Sequence, residues 1–223
     1  MRDYDKFSET FSNSRKNMKW PEIDELFEFL NKHKAFSDKI KLWNTSLIKK
    51  IKILDIWCWS WRLLSYIQNY LKDFIYLWID SSKWMIEEAT KAYKWYEFKV
   101  RDMIDIDKID NKYDIIFFIA SYHHLDSDIL RKRTLEKLRS ISQPWAIVLM
   151  TNWNLFSEKN YKKYEKSIIS WRDFNIKIWE HYRYYHSFST QELKDLIKNA
   201  WYSILENKIS ASGNNIITIF EII

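Results

Sequence analysis

The stretch Lys52–Leu64, KILDIWCWSWRLL, constrains this chain more than any other. The apolar run Ile51–Ile56 reads as a buried strand carrying one acid, Asp55, and Arg62–Leu71 has the spacing of a helix. Only a few residues join them. A turn that short needs positive φ, and a backbone that approaches a bound ligand closely needs no Cβ; both demands are met by glycine. Tryptophan stands there instead, at Trp57, Trp59 and Trp61. An indole buries about 150–250 Å², so three of them fill the space a ligand would take.

The whole chain repeats this local conflict. It holds 1 Gly and 13 Trp in 223 residues, where ordinary usage of roughly 7% gives about 15 glycines. The missing glycines are about as many as the tryptophans, and several tryptophans occupy places of glycine chemistry. Trp145 follows Pro144 before an apolar strand, where Pro-Gly marks a turn. Trp201 follows the helical run Gln191–Ala200, where glycine ends helices in the left-handed conformation. Trp78 precedes Ile79-Asp80 at a strand end, and Trp84 lies at a loop-to-helix junction. The pattern predicts a gene in which UGA encodes glycine, read as though UGA encoded tryptophan; the abundant Lys, Ile and Asn agree with an AT-rich gene. Trp20, before Pro21, and Trp153 are the candidates for genuine tryptophan. The alternative is a chain that is simply rich in tryptophan.

The length suits a single domain over 1–223, with an N-terminal helical cap over 1–45 and an insertion over 154–181 on the substrate side. The first residues, MRDYDKFSET, are polar, and no apolar run approaches the ~20 residues that span a bilayer. The single cysteine, Cys58, rules out an intrachain disulfide and argues against a cysteine-based zinc site. A reducing cytoplasm is the expected home, without a membrane or a metal. The net charge of +6 and pI near 9.1 permit a nucleic-acid partner; lysine enrichment from an AT-rich gene produces the same numbers.

Strands are expected at Ile51–Ile56, Phe74–Ile79, Glu97–Val100, Tyr113–Ile119, Ala146–Thr151, Tyr202–Glu206 and Ile216–Ile222. Helices are expected at Arg62–Leu71, Lys83–Tyr93, Ser127–Ile141 and Thr190–Ala200, with Asp5–Phe11 and Ile23–Leu30 in the cap. Alternation of this kind builds a mostly parallel α/β sheet with helices on both faces. The last two strands are joined too closely for a helical crossover, so one terminal strand runs antiparallel. In such a sheet ligands bind beyond the carboxyl ends of the strands. Asp55, Asp80 and Asp102 lie at or just after three successive strand ends, and Ala120-Ser121 follows the fourth. An acid in the place of Asp80 accepts hydrogen bonds from ribose hydroxyls.

With Trp57, Trp59 and Trp61 read as glycine, the loop becomes LDIGCGSGR. That resembles the first motif of class I S-adenosylmethionine-dependent methyltransferases, whose fold is a Rossmann-like seven-stranded sheet. The resemblance implies S-adenosylmethionine as cofactor. It implies that Asp55 lies near the methionine amino group, with positions 57, 58 (Cys58) and 59 forming the cofactor loop. It further implies Asp80 and Ser81 at the ribose, Asp102 at the adenine amino group, Met103 packed on the ring, and Ala120 near the methyl donor. Three further segments sharpen it: YDKFSETFSNSRKNMKWPEID from Tyr4, ASYHHLDSDILRKRTLEKLRSISQP after the fourth strand, and RYYHSFSTQELKDLIKNAWYSILE from Arg183. Together these resemble the tRNA wobble-uridine carboxymethyl methyltransferase family, the domain also found fused to an AlkB-like oxygenase. The resemblance fails over Asn154–His181.

That chemistry makes an ester of a carboxylate. A carboxylate with a pKa near 4 is already an anion at pH 7, so no catalytic base is required and alignment is the task. A bidentate arginine suits the second carboxylate oxygen; Arg15 and Arg183 are the candidates, with His123 or His186 as neighbouring donors. The insertion carries Lys159, Lys162, Lys163, Lys166, Arg172 and Lys177 among Phe156, Tyr161, Tyr164 and Phe174. That mixture suits the anticodon loop of a tRNA, and equally a solvated helix with an aromatic inner face. Family members can require a small activator subunit. Two rivals stand beside this reading: a small-molecule O- or C-methyltransferase, and, with literal tryptophans, a non-catalytic RNA-binding scaffold.

Overall fold

A computed structural model of the protein describes residues 21–33, 37–38, 50–57, 62–178 and 180–223. Its helices are α1 (Pro21–Lys32), α2 (Arg62–Tyr70), α3 (Lys83–Ala92), α4 (Asp128–Ile141), α5 (Glu158–Tyr164) and α6 (Thr190–Asn199). Its strands are β1 (Ile51–Ile56), β2 (Phe74–Asp80), β3 (Glu97–Val100), β4 (Tyr113–Ile119), β5 (Ser142–Trp153), β6 (Asp173–Ile178), β7 (His181–His186), β8 (Ser203–Ile209) and β9 (Asn215–Ile222). Seven strands form one sheet in the order β3-β2-β1-β4-β5-β9-β8. The strands β3, β2, β1, β4 and β5 pair in parallel, and β9 runs antiparallel to both β5 and β8. The expected antiparallel strand is thus the last in the chain, and it lies between β5 and β8.

Strand alternation divides the core into two layers. From β1 and β2, Ile51, Ile53, Tyr76 and Trp78 join Ile23, Leu26, Phe27 and Leu30 of α1 and Leu63, Leu64 and Ile67 of α2 on one face. Leu54, Ile56, Leu77 and Ile79 face the other way, with Leu135 and Leu138 of α4 and Leu193 and Ile197 of α6. Parallel strands buried on both faces read as near-continuous apolar runs, and β4, YDIIFFI, is buried along its whole length.

The insertion departs from a long helix. It holds the short α5, a 3₁₀ turn at Glu165–Ser167 and β6, which pairs antiparallel with β7, the strand that follows it and carries the RYYH segment. A separate small core of Leu155, Phe174, Ile176 and Tyr185 fixes this hairpin.

The glycine-demanding positions separate sharply. Among the described residues four other than glycine have positive φ: Trp57 at 60°, Ala120 at 50°, Trp145 at 65° and Trp201 at 61°. For a residue with a Cβ the left-handed conformation costs about 1–2 kcal/mol. Trp145 has it directly after Pro144, as position i+2 of a type II turn requires. Trp201 sits one residue past the cap of α6. Its N–H donates to the Lys198 carbonyl (2.9 Å) and the Tyr202 N–H to that of Ile197 (3.2 Å), the paired bonds of a Schellman ending. Trp78 and Trp84 make no such demand: Trp78 is fully buried within β2, edge-on to Phe98, and Trp84 lies in the first turn of α3.

Candidate functional site

The carboxyl ends of β1, β2, β3 and β4 bring the expected ligand-binding residues into one row. Asp55 is fully buried, and its Oδ2 accepts a 2.6 Å bond from the Tyr76 hydroxyl. Tyr76 is a site residue the sequence did not reveal; a tyrosine within an apolar strand reads as core. Asp80 closes β2, and its Oδ1 accepts from the Ser82 N–H at 2.8 Å. Ser82 in turn caps α3 by accepting from the Met85 N–H, so the strand-to-helix turn fixes the carboxylate. Ser81, between them, is partly buried. Asp102 caps the turn Met103–Lys108 through the Ile104 N–H at 3.2 Å, and Met103 is buried beneath it. Ala120 ends β4, and its N–H is shared between the carbonyl and the hydroxyl of Thr151, both at 3.0 Å. That double anchor holds a strained residue at the edge where ligands bind; strain of this kind concentrates at functional sites.

Trp57 follows Asp55 and Ile56 at the end of β1. Its N–H extends the β1–β2 pairing by donating to the Ile79 carbonyl at 2.9 Å. Its indole is buried, with its ring centre 6.4 Å from that of His124. Carboxylates at three successive strand ends are acceptors suited to hydroxyl, amino and ammonium groups, and the bulky Trp57 indole is buried at the end of β1. Arg15, Cys58, Trp59 and Trp61 lie outside the described residues.

Beyond β4, three buried groups converge. The turn Tyr122–His124 and strand β7 face each other: His124 donates from Nδ1 to the Tyr184 carbonyl at 2.9 Å and accepts at Nε2 from an Arg183 Nη at 3.3 Å. Those partners fix His124 as a neutral imidazole. His123 accepts at Nδ1 from the Trp153 N–H at 3.2 Å, which leaves the proton on Nε2. That N–H has no hydrogen-bond partner among the described residues. Burial, with Arg183 and His186 adding to it, pushes the His123 pKa down to about 3. His123 is therefore a fixed neutral donor.

Alternation along β7 sends its neighbours elsewhere. Tyr184 and His186 point away from Arg183 and Tyr185, into a polar cluster. His186 lies within hydrogen-bond distance of two carboxylates, Asp173 at Nδ1 and Glu192 at Nε2, each at 2.7 Å. Tyr184 donates to the same Asp173 oxygen at 2.6 Å. Burial pulls the Asp173 carboxyl upward, but the bonds from Tyr184 and His186 outweigh it and hold the group below the usual range. Arg131 joins the Tyr184 hydroxyl to the Leu125 carbonyl and to Asp128. His186 thus has both ring nitrogens engaged and pins the hairpin to α6, whereas Arg183 bonds His124, next to His123. Glu192 has a signature in the capping box it forms with Ser189, and Arg131 in its i,i+3 spacing to Asp128; Asp173 has none, because its partners Tyr184 and His186 come from the facing strand.

Comparisons with known proteins agree with this architecture. No protein-family model matches the chain. A protein named as a methyltransferase, 235L of Invertebrate iridescent virus 6, is 30% identical over 146 residues, covering 58% of this chain and 52% of that protein. The chain spans about half the length of the curated relatives it matches. Among solved structures, an S-adenosylmethionine-dependent methyltransferase from Clostridium acetobutylicum superposes with a TM-score of 0.68 at 12% identity, covering 98% of each chain. A Burkholderia thailandensis 1,6-didemethyltoxoflavin-N1-methyltransferase, solved with 1,6-didemethyltoxoflavin and S-adenosylhomocysteine, gives 0.63 at 11% identity, over 97% of this chain and 85% of that one. The chain has the Rossmann-like fold of the class I S-adenosylmethionine-dependent methyltransferases.

Proposed function

We propose that this protein is an S-adenosylmethionine-dependent methyltransferase whose acceptor is the carboxylate of a 5-carboxymethyluridine-type wobble base in the anticodon loop of tRNA. The observation that carries the cofactor is the row Asp55, Asp80, Asp102 and Ala120 on successive strand ends of this fold. The acceptor rests on two buried groups in the region after β4: Arg183, which bonds His124, and the N–H donor of His123, whose ring lies 4.5 Å from that of His124. A guanidinium beside a neutral donor suits an anionic oxygen pair.

The cofactor supplies an electrophilic methyl group. Everything else falls to the chain: Asp80 and Ser81 anchor the ribose, Asp102 takes the adenine amino group, and Met103 packs beneath the ring. Arg183, with Arg15 from the N-terminal segment, holds the acceptor carboxylate, and no side chain has to remove a proton. His186 acts on the acceptor only through the hairpin it pins. A small activator subunit and a cytoplasmic setting belong to the same reading.

This function requires glycine at 57, and we propose that the natural protein carries glycine at 57, 59, 61, 145 and 201 through UGA codons. The left-handed backbone at 57, 145 and 201 supports this; at 78 and 84 the codons alone decide. Peptide masses of the native protein test it, and tryptophan at 57 and 145 ends the idea.

The test of the acceptor is methyl transfer by the glycine form to tRNA bearing 5-carboxymethyluridine, read as the methyl ester in nucleoside digests. A small-molecule acceptor is the second reading, favoured by the likeness to the didemethyltoxoflavin enzyme. Inert tRNA alongside methylation of a small phenol or carboxylate would establish it instead.

A further inference from the structure

A column of aromatic rings leaves the site and ends on a basic surface. His123 stacks on Tyr185 with centroids 5.3 Å apart, Tyr185 on Trp153 at 4.9 Å, and Trp153 on Tyr164 at 6.2 Å; all three pairs are within 29° of parallel. Tyr164 is the last residue of α5, and the Lys163 ammonium lies 5.0 Å from its ring centre. Around it Lys162 and Lys163 follow Lys159 by three and four residues, and Lys166 follows them by four and three, which puts all four on one side of α5 and the turn after it. All four are exposed, and none has a carboxylate partner among the described residues. Beside them Phe156 stacks on Tyr161 at 5.9 Å, and the Arg172 guanidinium lies 5.1 Å from the Phe156 ring centre. These two rings remain 40% and 41% exposed.

Half-exposed stacked rings flanked by unneutralised lysines match one ligand chemistry well. The bases of a single strand present flat faces to the rings, and its phosphates lie at the spacing of side-chain cations. A duplex hides its base faces, and an acidic protein segment that lacks aromatic side chains has nothing to stack. We propose that α5 and its flanking turn form a docking surface for single-stranded RNA, with bases on Phe156 and Tyr161 and phosphates on the four lysines. The aromatic column beneath it sets the distance from this surface to His123 and Arg183. The identity of the strand as an anticodon loop rests on the proposed tRNA function, but the surface itself does not.

Fluorescence anisotropy of a labelled single-stranded oligouridine, titrated with the full chain without cofactor, tests the surface separately from catalysis. The quadruple variant Lys159→Ala, Lys162→Ala, Lys163→Ala, Lys166→Ala should bind at least about tenfold more weakly. Its salt dependence, log K against log salt, should flatten by about 0.7 for each phosphate that is no longer neutralised. Tyr161→Ala should weaken binding about five- to a hundredfold with little change in that slope. The control carries the same charge change at Lys32, Lys83, Lys91 and Lys108, each of which is bridged to a neighbouring carboxylate. It should bind as the parent does. Equal losses in the control and the quadruple variant would reduce the effect to net charge and overturn the proposal. Unchanged binding by the quadruple variant would also overturn it, as would polyglutamate competing as well as RNA at equal charge. RNA binding through this surface by a protein that methylates no tRNA would leave the surface standing and remove only the acceptor.

Discussion

Exchanging Trp201 for glycine and for alanine should give opposite results from the same exchange at Trp95. Both tryptophans are highly exposed, 80% and 94%, so either exchange removes an indole that packs little. Only Trp201 has a left-handed backbone. Alanine at 201 keeps the penalty of about 1–2 kcal/mol that a Cβ brings there. Glycine removes it and loses about 0.4–1 kcal/mol through the greater freedom of the unfolded chain. Trp201→Gly should therefore be more stable than Trp201→Ala by about 1 kcal/mol, or roughly 2–4 °C in melting temperature for a chain of this size. At Trp95 nothing offsets the entropy, and Trp95→Ala should be the more stable by about 0.4–1 kcal/mol. Comparing glycine with alanine at each site cancels the lost indole, so the sign depends on the backbone alone. Trp145, left-handed after Pro144, should behave as Trp201 does. Thermal and urea unfolding of these variants are the assay. Alanine matching or exceeding glycine at both 145 and 201 would refute the argument from backbone strain.

The site itself yields two more expected outcomes. His123 stays neutral when buried while its unfolded counterpart, with a pKa near 6.5, takes up a proton. The stability it preserves is present above pH 6.5 and is lost as pH falls from there towards 3, by about 1.4 kcal/mol per unit. His123→Gln should flatten the fall in stability between pH 6.5 and 5, and an unchanged profile would contradict the buried neutral state. In the glycine form, Asp80→Ala should weaken cofactor binding, whereas Arg183→Ala should lower acceptor turnover about ten- to a hundredfold at nearly constant cofactor affinity; steady-state kinetics with calorimetry separate the two.

The sheet was legible in the sequence because apolar runs between turn residues mark strands independently of their partners. Ile51–Ile56, Glu97–Val100 and Tyr113–Ile119 coincide with β1, β3 and β4. The end of α6 was legible from Trp201 alone, since the ending of a helix is set by local backbone chemistry. The hairpin β6–β7 was not. Ile178 pairs with His181, so only Trp179 and Glu180 join the strands, and the first of two such residues favours glycine or asparagine. With tryptophan there, the sequence lacks the punctuation that announces a hairpin. The row Asp55, Asp80, Asp102 was readable because strand ends align in any parallel sheet. The bond from Tyr76 to Asp55 and the cluster around Asp173 depend on register between distant segments, which no local pattern encodes.

Calorimetric titration with S-adenosylmethionine, of the chain with its tryptophans and of the variant Trp57→Gly, Trp59→Gly, Trp61→Gly, decides whether the strand-end row binds the cofactor once the loop carries glycine. The first should show no measurable binding and the second saturable one-to-one binding. Tight binding by the chain with all its tryptophans, or none by a folded glycine variant, would contradict this expectation.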